Sequence, residues 1–163
     1  MRISAHSVMI QIAKLKSRRA LCARRQVGCV LVDFVGNIIS TGYNGRARGA
    51  PNCAGAFACG NVCEGIHAEI NALVQAKGYS ASYAAYVTTL PCWHCAKALA
   101  AGGCQQIYTI EDEHPAEEQI RGAIYWLRLD KALYYIDVQH DVVTSVPLVI
   151  MSALAKTRQI PNT

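Results

Sequence analysis

Residues 84–110, AAYVTTLPCWHCAKALAAGGCQQIYTI, determine the fold that this sequence predicts. The β-branched and aromatic residues at the start of the stretch predict a strand, and Pro91 then marks the first turn of a helix. Gly102 and Gly103 end the helix, and the residues after them predict a second strand. A strand, a helix and a strand in this order form a βαβ unit, whose two strands are parallel.

The segments on either side of this unit extend it into a larger sheet. Two β-rich segments joined through Gly36 predict an antiparallel hairpin. We therefore expect a three-layer α/β/α sandwich with a central five-stranded mixed sheet that begins with a hairpin. Residues 1–140 are expected to form the domain, and residues 141–163 a C-terminal extension packed on it or on a neighbouring subunit. The expected elements are helix 4–19, strands 27–33 and 37–43, helix 67–77, strand 84–89, helix 92–101, strand 106–110, helix 117–129 and strand 133–138.

The composition of the 163-residue chain indicates a single globular domain. Hydrophobic residues make up 52% of the chain and charged residues 17%, which excludes disorder as the main state. No apolar run is long enough to span a membrane, and the N-terminal residues lack the continuous apolar stretch of a signal peptide. We therefore expect a cytoplasmic protein of a bacterial cell or a virus-infected host. The net charge of +5 fits a nucleic acid or a phosphorylated small molecule as partner, or simply a solvated helix face.

Two short motifs carry the chemistry: the triplet His67-Ala68-Glu69, and Pro91 followed by Cys92 and Cys95. One histidine and two cysteines supply three zinc ligands and leave a fourth position for water, as in catalytic zinc sites. Each motif lies at the start of a predicted helix. In a parallel arrangement the N-termini of both helices point to one edge of the sheet, so the three ligands are expected to converge there. Glu69 can reach the fourth position, where a carboxylate takes a proton from water and passes it to a leaving amine.

This combination of H-x-E with P-C-x-x-C matches the known signature of zinc-dependent nucleobase deaminases. A purely structural zinc site is the main competing interpretation, but it does not need an acid at position 69. Catalysis by a cysteine nucleophile is disfavoured, because zinc would occupy both thiolates. We expect His94, which lies inside the motif, to be an exposed helix residue.

The remaining cysteines suggest a second metal site. The chain has eight cysteines and no secretory signal, a combination that favours metal binding over disulfides. Cys22 closes the first helix, and Cys53, Cys59 and Cys63 punctuate the long glycine-rich segment before His67. A structural zinc held by these four thiolates would fasten that segment, although ordinary buried thiols would give the same pattern. Two further cysteines lie in or next to predicted strands and are expected in the core, namely Cys29 and Cys104.

Four segments resemble the deoxycytidylate (dCMP) deaminases of bacteria and phages within the cytidine deaminase superfamily. They are QVGCVLVD, NIISTGYNG, IHAEINAL and YVTTLPCWHCAKAL, and the resemblance spans residues 21–135. It implies hydrolysis of dCMP to dUMP and ammonia, which supplies dUMP for thymidylate synthesis. It also implies a homohexamer, activation by dCTP with Mg²⁺ and inhibition by dTTP. A second zinc is implied at the positions of Cys22 and Cys53, and Cys59 and Cys63 match the bacterial members.

The resemblance also implies roles for individual residues around the substrate. Asn44 is expected to hydrogen-bond the sugar, Val27 to pack against the base, and Ala68 to line the pocket with its main chain. Ala47 stands where the family usually has proline, within the sequence GRARG, which bears on the regulatory site more than on the chemistry. The candidate contacts for phosphate or an allosteric nucleotide are Arg24, Arg25, Arg46, Arg48, Gly42, Tyr43, Asn44 and Gly45.

The sequence is also compatible with three further function classes. A polynucleotide deaminase acting on tRNA adenosine or single-stranded DNA cytosine shares the zinc motif and fits the basic charge. Such an enzyme uses aromatic platforms for its bases, whereas aromatic residues make up only 7% of this chain, so nucleic acid is not the expected partner. The second class is a deaminase that also accepts dCTP, and the third is a zinc-binding module without enzymatic activity.

Overall fold

A computed structural model describes residues 2–22, 24–53, 64–77, 83–110, 112, 114–158 and 160. The expected helices and strands are present, with ends shifted by one or two residues, and a strand and a helix follow them near the C-terminus. The elements in chain order are α1 (Ala5–Ser17), β1 (Gly28–Val32), β2 (Ile38–Tyr43), α2 (Ala68–Gln75), β3 (Ala84–Val87), α3 (Trp93–Ala101), β4 (Gln106–Thr109), α4 (Glu117–Arg128), β5 (Ala132–Asp137), β6 (Val142–Ser145) and α5 (Leu148–Thr157).

The strands form one mixed sheet in the order β2-β1-β3-β4-β5-β6. β1 is antiparallel to β2 and to β3, whereas β3, β4 and β5 run parallel, so the expected hairpin and parallel unit are confirmed. The expected number of five strands is wrong, because β6 adds a sixth antiparallel strand at the edge. The turn that joins β5 to β6 contains no glycine, and Asp141 adopts the left-handed conformation there with φ of 55°. A four-residue strand that is largely exposed carries little periodic signal, which explains why the sequence did not predict it.

The helices cover both faces of the sheet and confirm the three-layer sandwich. Alternate residues of β1 point to opposite faces: Cys29 and Leu31 join the core under α2 and α4, and Val30 joins Ile10 and Ala13 of α1. Helices α2, α3, α4 and α5 lie on one face and contact one another in sequence, whereas α1 packs on the other. Cys29 and Cys104 are fully buried, as expected of core cysteines.

The segment after residue 140 contacts both faces. Met151 and Ala155 of α5 are buried in the larger core cluster, and α5 packs against α4. At the opposite face, the Asp141 carboxylate accepts hydrogen bonds from the Ser4 N–H at 2.9 Å and from the hydroxyls of Ser4 and Ser7. These bonds hold the first turn of α1, where a carboxylate is favoured by the helix dipole. No helix among the described residues combines the length and the apolar character needed to cross a membrane.

The topology brings several chain ends to one edge of the sheet. The Thr88 N–H, just after β3, donates to the Gly28 carbonyl at the start of β1 at 3.1 Å. Gly28 in turn pairs with Tyr43 at the end of β2. His67 and Cys92 lie at this edge too, because they are the N-cap residues of α2 and α3. The candidate site is therefore positioned by a sheet edge and by two helix N-termini.

Candidate active site

His67, Cys92 and Cys95 converge although 25 residues separate the first two in the chain. The His67 Nδ1 atom lies 3.5 Å from Cys92 Sγ and 3.3 Å from Cys95 Sγ, and the three ligating atoms lie within 4.8 Å of one another. His67 makes no side-chain cap hydrogen bond to its own helix, so its ring is free to face the start of α3. This is the one group of metal-ligating side chains of this kind within the described part of the chain.

The protonation of these groups suits a metal site. A hydrogen bond with the Cys95 thiol lowers the pKa of Cys92 to about 3, and the hydrogen bond with His67 acts in the same direction. The same bond with Cys92, together with burial, raises the pKa of Cys95. The hydrogen bond with Cys92 raises the pKa of His67. The three groups thus share protons among themselves, and a cation takes the place of those protons when it binds. One imidazole nitrogen and two thiolate sulfurs are a donor set that fits zinc.

Glu69 is placed for proton transfer beside this group. Its side chain is 3% exposed, which is rare for a carboxylate and marks a specific role or partner. Burial raises the pKa of Glu69, while its hydrogen bond with Cys95 and the nearby His67 oppose that rise. A carboxyl group with a raised pKa exchanges protons more readily near neutral pH than an exposed one.

A cavity of about 620 Å³ opens onto the metal-ligating group. Its lining combines Glu69 with the apolar side chains of Val27 and Leu90, and it includes Ala68 and the amide of Asn44. The cavity is also lined by a set of arginines from the end of α1, from the segment before β1 and from the segment after β2: Arg18, Arg19, Arg24, Arg25 and Arg46. This lining suits an anionic substrate with a flat ring, because it combines an acid beside a metal site with apolar side chains and several cations.

Comparison with known proteins agrees with this geometry. Residues 3–111 match the family described as the cytidine and deoxycytidylate deaminase zinc-binding region. The chain belongs to this deaminase family. The family resemblance inferred from the motifs is therefore confirmed.

Named relatives and solved structures of the family extend the match. The deoxycytidylate deaminase of Schizosaccharomyces pombe is 38% identical over 120 residues, which cover 65% of this chain and 37% of that protein. The chain thus matches well under half the length of this relative. The deoxycytidylate deaminase of Mycobacterium phage D29 is 33% identical over 59% of this chain and 86% of its own length. The crystal structure of the dCMP deaminase of cyanophage S-TIM5 in complex with dCMP and dUMP is 26% identical, covers 83% of this chain and 99% of that chain, and has a TM-score of 0.71.

Two of the four arginines singled out from the sequence already hold carboxylates. Arg25 pairs with Asp112 at 2.8 Å, and Arg46 pairs with Glu64. Arg48 is exposed and lies outside the cavity lining. Arg18 and Arg19, which were not among those four, also line the cavity. Their position depends on the packing of α1 against the hairpin, which no local sequence signal reports.

Asn44 joins the start of β1 to the end of β2. Its Oδ1 accepts a hydrogen bond from the Val27 N–H at 2.7 Å, and its Nδ2 donates to the Arg25 carbonyl at 2.9 Å. One amide hydrogen and one lone pair remain for a ligand. The Asn44 main-chain N–H donates to the Val27 carbonyl, and the Gly45 N–H donates to the Ile66 carbonyl. Both N–H groups are therefore paired with main-chain carbonyls in this structure.

Gly42 has a packing role and does not line the cavity. A Cβ atom added there would lie 2.1 Å from the Ala68 carbonyl oxygen, so β2 and α2 approach as closely as they do only because residue 42 is glycine. Tyr43 lines the cavity, and the Arg19 guanidinium lies 5.6 Å from the centre of its ring. Gly42 thus sets the distance between the hairpin and the helix that carries Glu69.

Cys22 and Cys53 both line the cavity. Cys59 and Cys63, the other two ligands expected for a second zinc, lie outside the described residues. His94 is exposed on α3, as expected.

No local sequence pattern predicted the role of α4 in the site. Gln119 and Thr89 line the cavity, and Gly122 lies one turn beyond Gln119 on the same helix. A Cβ atom added at Gly122 would lie 2.3 Å from the Pro91 carbonyl oxygen and 2.8 Å from the Cys92 carbonyl carbon. Helix α4 therefore rests directly on the peptide that presents a metal-ligating residue.

Gly122→Ala is expected to displace the Pro91–Cys92 peptide, because the added methyl group meets main-chain atoms that no rotamer change can move. Overpacking of this kind costs about 1–3 kcal/mol, which outweighs the gain of about 1 kcal/mol in helix propensity. Chemical denaturation should show a net loss of stability, and metal analysis should show weaker zinc retention. The matched control is Gly45→Ala, whose methyl group would meet, among the described residues, only Tyr43 Cε2 at 3.8 Å. Equal stability and zinc retention in the two variants would contradict the packing role.

Proposed function

We propose that this chain catalyses the zinc-dependent hydrolytic deamination of dCMP to dUMP and ammonia, and so supplies dUMP for thymidylate synthesis. The observation that carries the proposal is the buried Glu69 carboxyl group beside His67, Cys92 and Cys95, inside a cavity that arginines also line. The related cyanophage dCMP deaminase, with dCMP and dUMP in its crystal structure, supports this choice of substrate.

The residues divide the chemistry among them. His67, Cys92 and Cys95 would hold a zinc ion, which would supply the Lewis-acid chemistry that makes a water molecule easier to deprotonate. Glu69 accepts a proton from that water as the oxygen bonds to C4 of the cytosine ring, and delivers it to N3. A second proton passes from the new hydroxyl group on C4 through the same carboxyl group to the amino nitrogen. The C4–N bond breaks, ammonia leaves, and the oxygen remains on C4 as the carbonyl of dUMP. The raised pKa of Glu69 suits it to both transfers.

The cavity accounts for recognition of a nucleotide. Val27 packs against the base and Ala68 lines the pocket with its main chain, while the remaining amide hydrogen and lone pair of Asn44 bond the sugar. The arginines that line the cavity supply the charge for a phosphate. Among the described residues that line the cavity, Tyr43 is the one tyrosine, tryptophan or phenylalanine, which favours a single nucleotide over a polynucleotide with several stacked bases.

Glu69→Gln is expected to keep the shape of the side chain and remove the proton carrier. General acid–base catalysis typically contributes about 10²–10⁴-fold in rate, so ammonia release from dCMP should fall by that factor while the zinc content stays unchanged. Near-wild-type turnover would refute the role of Glu69.

Substrate choice is tested by the same assay on the wild-type protein, with dCMP, dCTP, deoxycytidine and a tRNA anticodon stem each measured in turn. We expect the highest kcat/KM for dCMP.

The second zinc is also part of the proposal, with Cys22, Cys53, Cys59 and Cys63 as its ligands. Cys22 and Cys53 line the same cavity from distant parts of the chain, which supports a shared metal. Metal analysis of the wild-type protein should give two zinc ions per chain. Cys59→Ser should remove one of them and leave the zinc at His67 bound, and a single zinc in the wild type would contradict the four-cysteine site.

Regulation by dCTP with Mg²⁺ and by dTTP, in a homohexamer, completes the proposal. The segment after β2 is tied to the metal-ligating group, because Gly45 and Ile66 exchange two main-chain hydrogen bonds of 3.1 and 2.8 Å just before His67. The Asn71 amide also donates to the Tyr43 carbonyl at 2.9 Å. A nucleotide bound near Arg46 and Arg48 would therefore be connected to the active site through only a few residues. Activation by one effector and inhibition by the other would arise because each binds a different state of the enzyme.

Initial rates at increasing dCMP concentration test the regulatory part. We expect a sigmoidal curve without effector, a hyperbolic curve of higher affinity with dCTP and Mg²⁺, and a lower rate with dTTP. A hyperbolic curve indifferent to both triphosphates would remove the regulation and leave the deaminase chemistry in place. Release of ammonia from dCTP alone is the necessary control.

A further inference from the structure

Gln119 bridges two elements of the active site with a side-chain amide whose orientation is fixed. Its side chain is 4% exposed, and its Oε1 accepts a hydrogen bond from the Ala116 N–H at 2.8 Å. Its Nε2 donates to the Leu90 carbonyl at 2.9 Å and to Thr89 Oγ1 at 2.7 Å. Because a main-chain N–H can only donate and a carbonyl can only accept, the amide cannot be flipped. Gln119 therefore presents a donor, never an acceptor, to Thr89.

Because Gln119 donates to the Thr89 hydroxyl, the hydrogen of that hydroxyl must point to a different acceptor. A hydroxyl has one hydrogen to donate, and its oxygen already accepts from Gln119. Within the described part of the chain, no protein acceptor lies within hydrogen-bond distance of that hydroxyl hydrogen. Thr89 lines the cavity, so the hydrogen is available to a molecule bound there.

The segment that carries Thr89 is held firmly. The Thr88 N–H donates to the Gly28 carbonyl, and the Gly28 N–H donates to Thr88 Oγ1, both at 3.1 Å. Leu90 is 1% exposed, and Gly122 allows α4 to touch the following peptide. A hydroxyl on such a support is oriented before the ligand arrives, which is what a specificity contact requires.

We infer that Thr89 is a specificity-determining residue, whose hydroxyl is oriented by the positioning residue Gln119 and donates a hydrogen bond to an acceptor oxygen of the bound pyrimidine nucleotide. The inference rests on the proposed function. A nucleotide with a hydrogen-bond donor at that place could use only the second lone pair of the Thr89 oxygen and would leave the hydroxyl hydrogen without an acceptor, which costs free energy that an acceptor oxygen avoids.

Steady-state kinetics with dCMP for four variants test the inference. Thr89→Val removes the hydroxyl at nearly constant volume and should raise KM about 3–10-fold, the value of one neutral hydrogen bond, with unchanged zinc content. Thr89→Ser keeps the hydroxyl and should restore the wild-type KM. Gln119→Glu replaces the amide donor by a carboxylate, to which the Thr89 hydroxyl then donates, so KM should rise as well. Gln105→Glu is the matched control, because Gln105 also donates to a main-chain carbonyl, at 3.0 Å to Gly103, but lies outside the cavity lining.

The decisive comparison is the double variant. If Gln119 orients Thr89, then Thr89→Val should raise KM in the wild-type background and have no further effect in the Gln119→Glu background. Independent effects of the two substitutions, or equal KM values for Thr89→Val, Thr89→Ser and the wild type, would overturn the inference. If Gln119→Glu does not fold, the Thr89→Val and Thr89→Ser pair decides alone. No ammonia release from dCMP by the wild type would refute the proposed function, whereas unchanged KM values in an active enzyme refute only the role of Thr89.

Discussion

The meeting of the His67 ring with the thiols of Cys92 and Cys95 is the constraint on which the rest of the structure depends. His67 Nδ1 lies 3.5 Å from Cys92 Sγ and 3.3 Å from Cys95 Sγ, although the histidine and the cysteines belong to two different helices. The contact requires that α2 and α3 begin at the same edge of the sheet, which the parallel pairing of β3 with β4 and the antiparallel pairing of β1 with β3 provide. It also requires that α2 lie close to β2, which Gly42 permits.

The charges around the cavity follow from the same arrangement. Burying the Glu69 carboxyl group is costly, and it is offset by the helix N-terminus on which the residue lies and by the imidazole two residues earlier. Arginines from three separate segments line the cavity, and carboxylates hold two of them, Arg25 and Arg46, in place. The cavity lining therefore combines apolar side chains, a buried acid and several cations, a combination that suits an anionic nucleotide with a flat ring.

Much of this arrangement was predictable from the sequence, because the ligands and the helix starts are specified by residues that lie close together in the chain. The turn from Pro91 to Cys95 and the triplet at His67 specify ligand types and helix starts within a few residues, and the structure brings those ligands together. The contributions of Gln119 and Arg19 depend instead on how α4 and α1 pack against distant segments, and local patterns do not record such contacts. Strand β6 escaped prediction because an exposed edge strand of four residues has no buried face to create a periodic pattern.

The central claim is that His67, Cys92 and Cys95 hold a zinc ion whose open position lies beside Glu69 and faces the nucleotide. Diffraction data collected at the zinc absorption edge from crystals grown with dUMP test it most directly. The account predicts an anomalous peak at zinc-ligand distances of about 2.0–2.3 Å from His67 Nδ1 and the two sulfurs, with C4 of the pyrimidine ring next to the Glu69 carboxyl group. A peak ligated by four protein side chains, or a nucleotide bound with its ring away from Glu69, would contradict the account.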